Sequence, residues 1–159
     1  MHHTEDFLKV WEMESASTLK VFDALTDASL SQSVVPGGYT LQWLAWHITT
    51  AAAMLPAQGG LVSAPERGPA PATVAEIIAV YRKNSAALVE AVRERSSDAA
   101  FAENINFFGR PMRRGVLLSF TIMHQAHHRA QMTVLMKQAG LKVPGVYGPS
   151  EDDQKAAKK

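Results

Sequence analysis

The sequence predicts an all-α protein, an antiparallel four-helix bundle, and three observations carry that prediction. Four long stretches repeat their apolar residues at helical spacing, segments rich in proline, glycine or asparagine separate them, and no run of alternating β-branched residues competes with them. A chain of 159 residues is the size of one domain able to close its own core. Residues 1–150 read as that single domain, and residues 151–159, EDDQKAAKK, as a charged C-terminal tail that lacks periodicity and is expected to be loose.

The first helix is expected to start at Thr4 as N-cap, with Glu5 and Asp6 in its first turn, and to end near Asp27. Phe7, Trp11, Thr18, Phe22 and Leu25 fall on one stripe of it. Pro36, Gly37 and Gly38 then allow a tight turn into a second helix, capped by Thr40 and running to about Leu55. The segment QGGLVSAPERGPAPAT holds three prolines and three glycines, so the chain must cross the surface before Thr73 caps the third helix. That helix carries Ile77, Tyr81, Leu88 and Val92 on one stripe. The piece NINFFGRP reads as a short extended turn, and the fourth helix follows from Pro111 or Arg113 to Gln138, closed by Gly140 at the C′ position. Four helices of this length favour a bundle, and the long second connection leaves its topology open.

Composition removes several functional classes. The chain is 47% hydrophobic and 19% charged, which places it among globular proteins. Sixteen Lys and Arg against fifteen Asp and Glu leave a formal charge of +1, too small to neutralise a nucleic-acid backbone over a broad face. There is no cysteine, so any metal site rests on histidine and carboxylate, and no disulfide or thiol nucleophile is available from the chain itself. No apolar run reaches the ~18–20 residues of a membrane span, and the acids near the N-terminus argue against a signal core. A cytoplasmic location is the expectation. His2 and His3 lie at an end expected to fray and are set aside.

The remaining histidines stand on helical stripes. At about 100° per residue, Leu117, His124, His128 and Leu135 lie within about 40° of one another, flanked by Phe120 and Gln131. His124 and His128, one turn apart, can offer two imidazole nitrogens to one ion. His127 lies about 60° to the other side of His124, so it can replace His128 or act behind it. On the second helix His47 shares its face with Thr40, Trp43, Ala51 and Met54. Three inward histidines from two helices would form a site that leaves coordination positions open for water or substrate. The competing readings are neutral core histidines bonded to backbone, and a surface cluster, for which the charged neighbours Arg114 and Arg129 speak.

Three segments, W-x-x-W-H-I at Trp43–Ile48, H-x-x-H-H-R-A-Q at His124–Gln131 and G-L-K-V-P-G-V-Y-G at Gly140–Gly148, resemble the DinB-like superfamily in sequence and order. That superfamily includes metal-dependent hydrolases and thiol transferases resembling the bacillithiol transferase and mycothiol-dependent maleylpyruvate isomerase groups. The resemblance implies a four-helix bundle, often a homodimer, with one divalent ion held by His47, His124 and His128. Ala130 stands where the family motif usually has glycine, a small-for-small change.

A divalent ion on three neutral imidazoles keeps its full charge and can acidify a water or hold a thiol deprotonated. The expected function is therefore a metal-dependent enzyme acting on a small molecule, by hydrolysis or by transfer of a low-molecular-weight thiol. The other class is a noncatalytic metal- or ligand-binding helical protein. Zinc or nickel suits such a site best, with iron or manganese next. Hydrolysis needs a base, for which His127, Glu103, Tyr81 and Asn84 are candidates. Trp11, Trp43 and Trp46 are expected to fill the bundle or a dimer face, and Met54, Met112, Met123, Met132 and Met136 to serve packing. Arg110, Arg113 and Arg114, at the start of the fourth helix, read as a solvated surface group.

Overall fold

A computed structural model describes residues 3–65, 68–95 and 97–158. Helices α1 (Thr4–Asp23), α2 (Leu41–Gln58), α3 (Val74–Arg95) and α5 (Arg114–Gln138) form an all-α bundle. Between the last two lie a short α4 (Asp98–Ala102) and a hairpin of β1 (Asn104–Phe107) and β2 (Arg110–Arg113); α6 (Glu151–Ala156) follows α5. α2 packs against α3 and α5, and α1 packs against the same two helices from the opposite corner.

Side-chain contacts fix the helix directions, and the expected antiparallel arrangement holds for α1 with α3 and for α2 with α5 but not for α2 with α3. α1 and α3 are antiparallel: Trp11 Nε1 donates to Ser85 Oγ at 3.0 Å, while Asp27, past the end of α1, accepts from Val74 N–H at the start of α3. α2 and α5 are also antiparallel, with His47 opposite His124 and Gly59 against Leu117. α2 and α3 start at the same end, since Gln42 donates to Pro71 O and Asn84 to Thr49 O. Two parallel neighbours need a connection as long as the helix it passes, roughly 27 Å for 18 residues. The Pro- and Gly-rich crossover supplies that length.

The expected stripes of α1 and α3 are buried: Phe7, Trp11, Thr18, Phe22 and Leu25 on one, Ile77, Tyr81, Leu88 and Val92 on the other. Several boundaries differ from the sequence reading. Thr4 is the first helical residue and not the N-cap; His3 holds that position without a side-chain cap bond. The Asp98 carboxylate accepts from the Thr4 N–H instead and lies 2.8 Å from His3 Nδ1. α1 stops at Asp23 because Thr26 and Ser29 form a capping box for a separate 3₁₀ turn, Asp27–Ser31. α2 runs through Pro56 to Gln58, with Pro56 in its last turn offering no N–H to the carbonyl of Ala52. Thr73 does cap α3, exchanging bonds with Glu76. α5 closes as expected, with Gly140 at φ 73° and Leu141 N–H bonded to Met136 O, a Schellman end. The extended turn is a β-hairpin with Phe107 paired to Arg110.

The tail is not loose. Ser150 and Asp153 form a capping box for α6, and Asp152 accepts from Lys137 Nζ and from Val143 N–H. The segment between α5 and α6 also returns Tyr147 to the bundle, where its hydroxyl donates to Glu14 Oε2 at 2.9 Å.

Candidate metal centre

The buried side of α5 centres on Leu118, Thr121, Gln125, Arg129, Met132 and Met136, with Leu117 and Leu135 buried along the edge they share with the histidines, so the histidines lie beside the core stripe and not on its centre. Polar residues take the central places because partners wait for them. Arg129 Nη2 reaches Glu14 Oε2 at 2.7 Å, its Nη1 reaches Glu14 O and Thr18 Oγ1, and Tyr81 donates to Gln125 Oε1 at 2.7 Å. Arg129 is thus an interior residue at 2% exposure, and it lends nothing to the surface-cluster reading. Arg114 also differs from the solvated reading: it donates to Gly59 O, Ala100 O and Glu103 Oε2, tying the start of α5 to α2 and α4. Arg110 and Arg113 are exposed.

Displaced sideways, the histidine edge of α5 faces α2. His47 Nε2 lies 3.1 Å from His124 Nε2, and one ligand atom from each of His47, His124 and His128 lies within 4.8 Å of the others. Ring centroids are 4.5 Å apart for His47 and His128 and 4.6 Å for His124 and His128. Two nitrogens bound to one ion at about 2.0–2.1 Å stand roughly 3.3 Å apart in tetrahedral geometry, close to the observed pair. All three rings are half-buried. His127 is exposed and stays outside the group, its ring 4.8 Å from that of His128.

Neighbouring groups prepare these rings as ligands. His128 Nδ1 lies 2.7 Å from Gln131 Oε1, so the Nδ1–H donates there and the Nε2 lone pair is left for an ion. His124 Nδ1 is buried with no hydrogen-bond partner, and its Nε2 faces another Nε2. Without a cation, that pair must share a proton between two basic nitrogens; with one, both lone pairs are used. The residues therefore fit a divalent ion. Burial, reinforced by the rings of His128, His47 and His127, pushes His124 down to about 4. Burial and then His128 lower His47, and burial lowers His128 against the upward pull of its bond to Gln131. Neutral imidazoles at pH 7 are the form a metal takes.

The sign of the pH effect follows. Between about 4 and 6.5 the unfolded chain holds a proton on residue 124 that the folded chain refuses, so folding stability falls as pH drops through that window. Chelator-treated protein is expected to lose Tm between pH 6.5 and 4 more steeply than a His124→Asn variant. Equal slopes in a thermal melt series would refute the assignment.

Aromatic rings flank the histidines. Trp43, one turn before His47, stacks on it at 4.7 Å and 11°, and Tyr39 stacks on the outer face of Trp43 at 3.7 Å. On the other side Phe120 lies 5.9 Å from His124. Trp43 is thus part of the site's surround, not bundle filling, which its place on the His47 face could have signalled. Trp11 is core, and half-buried Trp46 donates to Gly68 O. Met132 and Met136 pack in the core, whereas Met123 is exposed. The other base candidates are elsewhere: Glu103 pairs with Arg114 at 2.8 Å, Tyr81 is bonded inside the core, and Asn84 holds Thr49 O.

A helical bundle that gathers three imidazoles from two of its helices defines a protein able to hold a metal ion. Residues 1–159 match the model of the DinB family, and the chain belongs to that family. It is 43% identical over 151 residues to the uncharacterized protein YrdA of Bacillus subtilis (strain 168), covering 94% of this chain and 90% of that protein. It is also similar to a DinB-like protein from Bacillus cereus ATCC 10987 known from a crystal structure. That likeness has 46% identity and a TM-score of 0.88 over 92% of this chain and all of the other. The DinB-like protein YjoA of Bacillus subtilis, at 15% identity and TM-score 0.69, covers 85% of this chain and 92% of its own and shares the fold. Among the described residues no helix is long and apolar enough to cross a membrane.

Proposed function

We propose that this protein is a divalent-metal-dependent enzyme acting on a small molecule, and that transfer of a low-molecular-weight thiol is its reaction. The single observation behind this reading is the convergence of His47, His124 and His128 as neutral rings, with Nε2 of His47 and His124 turned toward each other and Nδ1 of His128 held by Gln131. A bound zinc or nickel supplies the positive charge that keeps a thiol or a water deprotonated near neutral pH. The chain's own residues hold and orient. Gln131 fixes the tautomer of His128, the Trp43 ring holds the plane of His47, and Phe120 borders His124. His127, exposed and one ring contact away, is placed to accept a proton from the site and pass it to solvent.

Hydrolysis is the weaker variant of this reading. Attack by water profits from an aligned carboxylate base, and among the described residues no carboxylate joins the three histidines. A thiol, already acidic compared with water, needs only the charge. The test incubates zinc- or nickel-loaded protein with small thiols and electrophilic acceptors, in parallel with an ester and amide panel. Thiol-dependent consumption of the acceptor that disappears in His128→Ala is the expected result. Turnover of esters without thiol would favour hydrolysis. No metal-dependent turnover in either panel would leave a binding protein.

A further inference from the structure

The aromatic rings around the three histidines form a connected series. From one side run Tyr39, Trp43 and His47; from the other run His124, Phe120, Phe107 and Phe108, with centroid separations of 5.9, 5.8 and 4.6 Å along the second branch. The two branches meet where His47 and His124 touch. Three elements contribute: the first turns of α2 with the turn before it, the middle of α5, and the hairpin. Tyr39 and Phe108 are well exposed, Trp43 partly so, and rings left in water cost free energy unless something covers them.

Phe108 adds an independent sign. It is the first of two residues joining β1 to β2, and its φ is +49°, a left-handed conformation that bulky side chains avoid. With Gly109 also at positive φ, the turn has the backbone that asparagine followed by glycine adopts most easily. The side chain of Asn106 accepts from Gly109 N–H and holds the turn in place. A large ring kept exposed in a strained backbone position, where a small polar residue would fit better, marks a place used for contact.

We infer that the metal centre is the floor of an aromatic-walled cleft, and that its ligand is a flat, conjugated or aromatic molecule carrying an anionic or soft donor for the ion. Trp43 and Tyr39 border the histidines on one side and Phe120, Phe107 and Phe108 on the other, with Phe107 and Phe120 also packed against Ala51, Leu55 and Leu117. This inference rests on the metal reading above and narrows its substrate class. Rings that border the ligating histidines select the part of the molecule next to the donor, while the hairpin tip reaches the part farther out.

The experiment compares two probes with one donor group on zinc-loaded protein: acetohydroxamate and biphenyl-4-carbohydroxamate, with metal content measured for every variant. The biphenyl probe is expected to bind at least ~10-fold more tightly, the effect of covering one apolar ring system. In Trp43→Leu and Phe120→Leu, compared at equal metal content, the ratio of the two affinities should narrow by ~3-fold or more. Phe108→Asn touches no ligating histidine; it is expected to keep the metal, match or exceed the wild-type Tm, and still narrow the gap. Equal binding of the two probes by metal-loaded wild type, or a gap unchanged in all three variants, overturns the inference while the metal centre stands. A sedimentation shift from dimer to monomer in Phe108→Asn with the gap intact also overturns it, since a second chain would then cover the rings. Wild-type protein that takes up no zinc would instead refute the metal reading itself.

Discussion

His124→Ala is expected to abolish stoichiometric metal binding. Wild type should carry about one divalent ion per chain, and loss of one of three ligands should cost more than loss of an outer partner, which is typically about 10- to 100-fold in affinity. Gln131→Ala supplies that comparison within the same site, because Gln131 touches His128 and not the ion. Elemental analysis after dialysis, followed by competition titration against a chromophoric chelator, reads both variants. The stability readout separates a missing ligand from a damaged fold. Metal at ~1,000 times its dissociation constant stabilises the folded wild type by about 4 kcal/mol, and this gain should vanish in His124→Ala. Metal-free, the variant should melt within a few degrees of metal-free wild type, because it loses the ring's contacts with His47, Phe120 and His128 but also removes a buried Nδ1 that has no partner. Unchanged metal content in His124→Ala would end the case for this centre.

Arg129→Met should destabilise the protein by about 3–5 kcal/mol, through a different physical effect. Methionine fills much of the volume, but Glu14, at 3% exposure, would remain as a buried carboxylate with its guanidinium partner gone. Tyr147 still donates to that carboxylate, yet one neutral hydrogen bond offsets only part of the desolvation of a charge. At roughly 2–4 °C per kcal/mol for a chain of this size, the melting temperature should fall by about 6–20 °C. Adding Glu14→Leu should recover most of the loss, since replacing both members of a buried pair by apolar groups is often neutral or stabilising. Urea denaturation of wild type, the single variant and the double variant closes the cycle. A cost under about 1 kcal/mol for Arg129→Met would show that the pair is not buried as described.

These two residues also show where sequence reading succeeded and where it fell short. The i, i+4 spacing of His124 and His128 and the shared face of Trp43 and His47 were readable, because helical periodicity is local and depends only on residue order. Arg129 speaks for the competing surface reading on charge alone, because its partners lie 115 and 111 positions away, on Glu14 and Thr18. A helical wheel cannot contain them. The same limit hid the anchored C-terminal segment, whose Asp152 is held by Lys137 of the preceding helix and by Val143 N–H, and the role of Asp98 at the start of α1.

From order alone come the four helices, the Gly140 and Thr73 ends, and the histidines that share a face, since each depends on backbone preferences and spacing within a few turns. Only tertiary packing decided that α2 and α3 run in parallel, that Gln125 and Arg129 take the centre of α5 while the histidines turn toward α2, and that His127 stands aside. The physical reason is that rotation of a helix about its axis is settled by which faces find partners. A buried arginine needs its carboxylate, and meeting that need sets the direction in which His124 and His128 point.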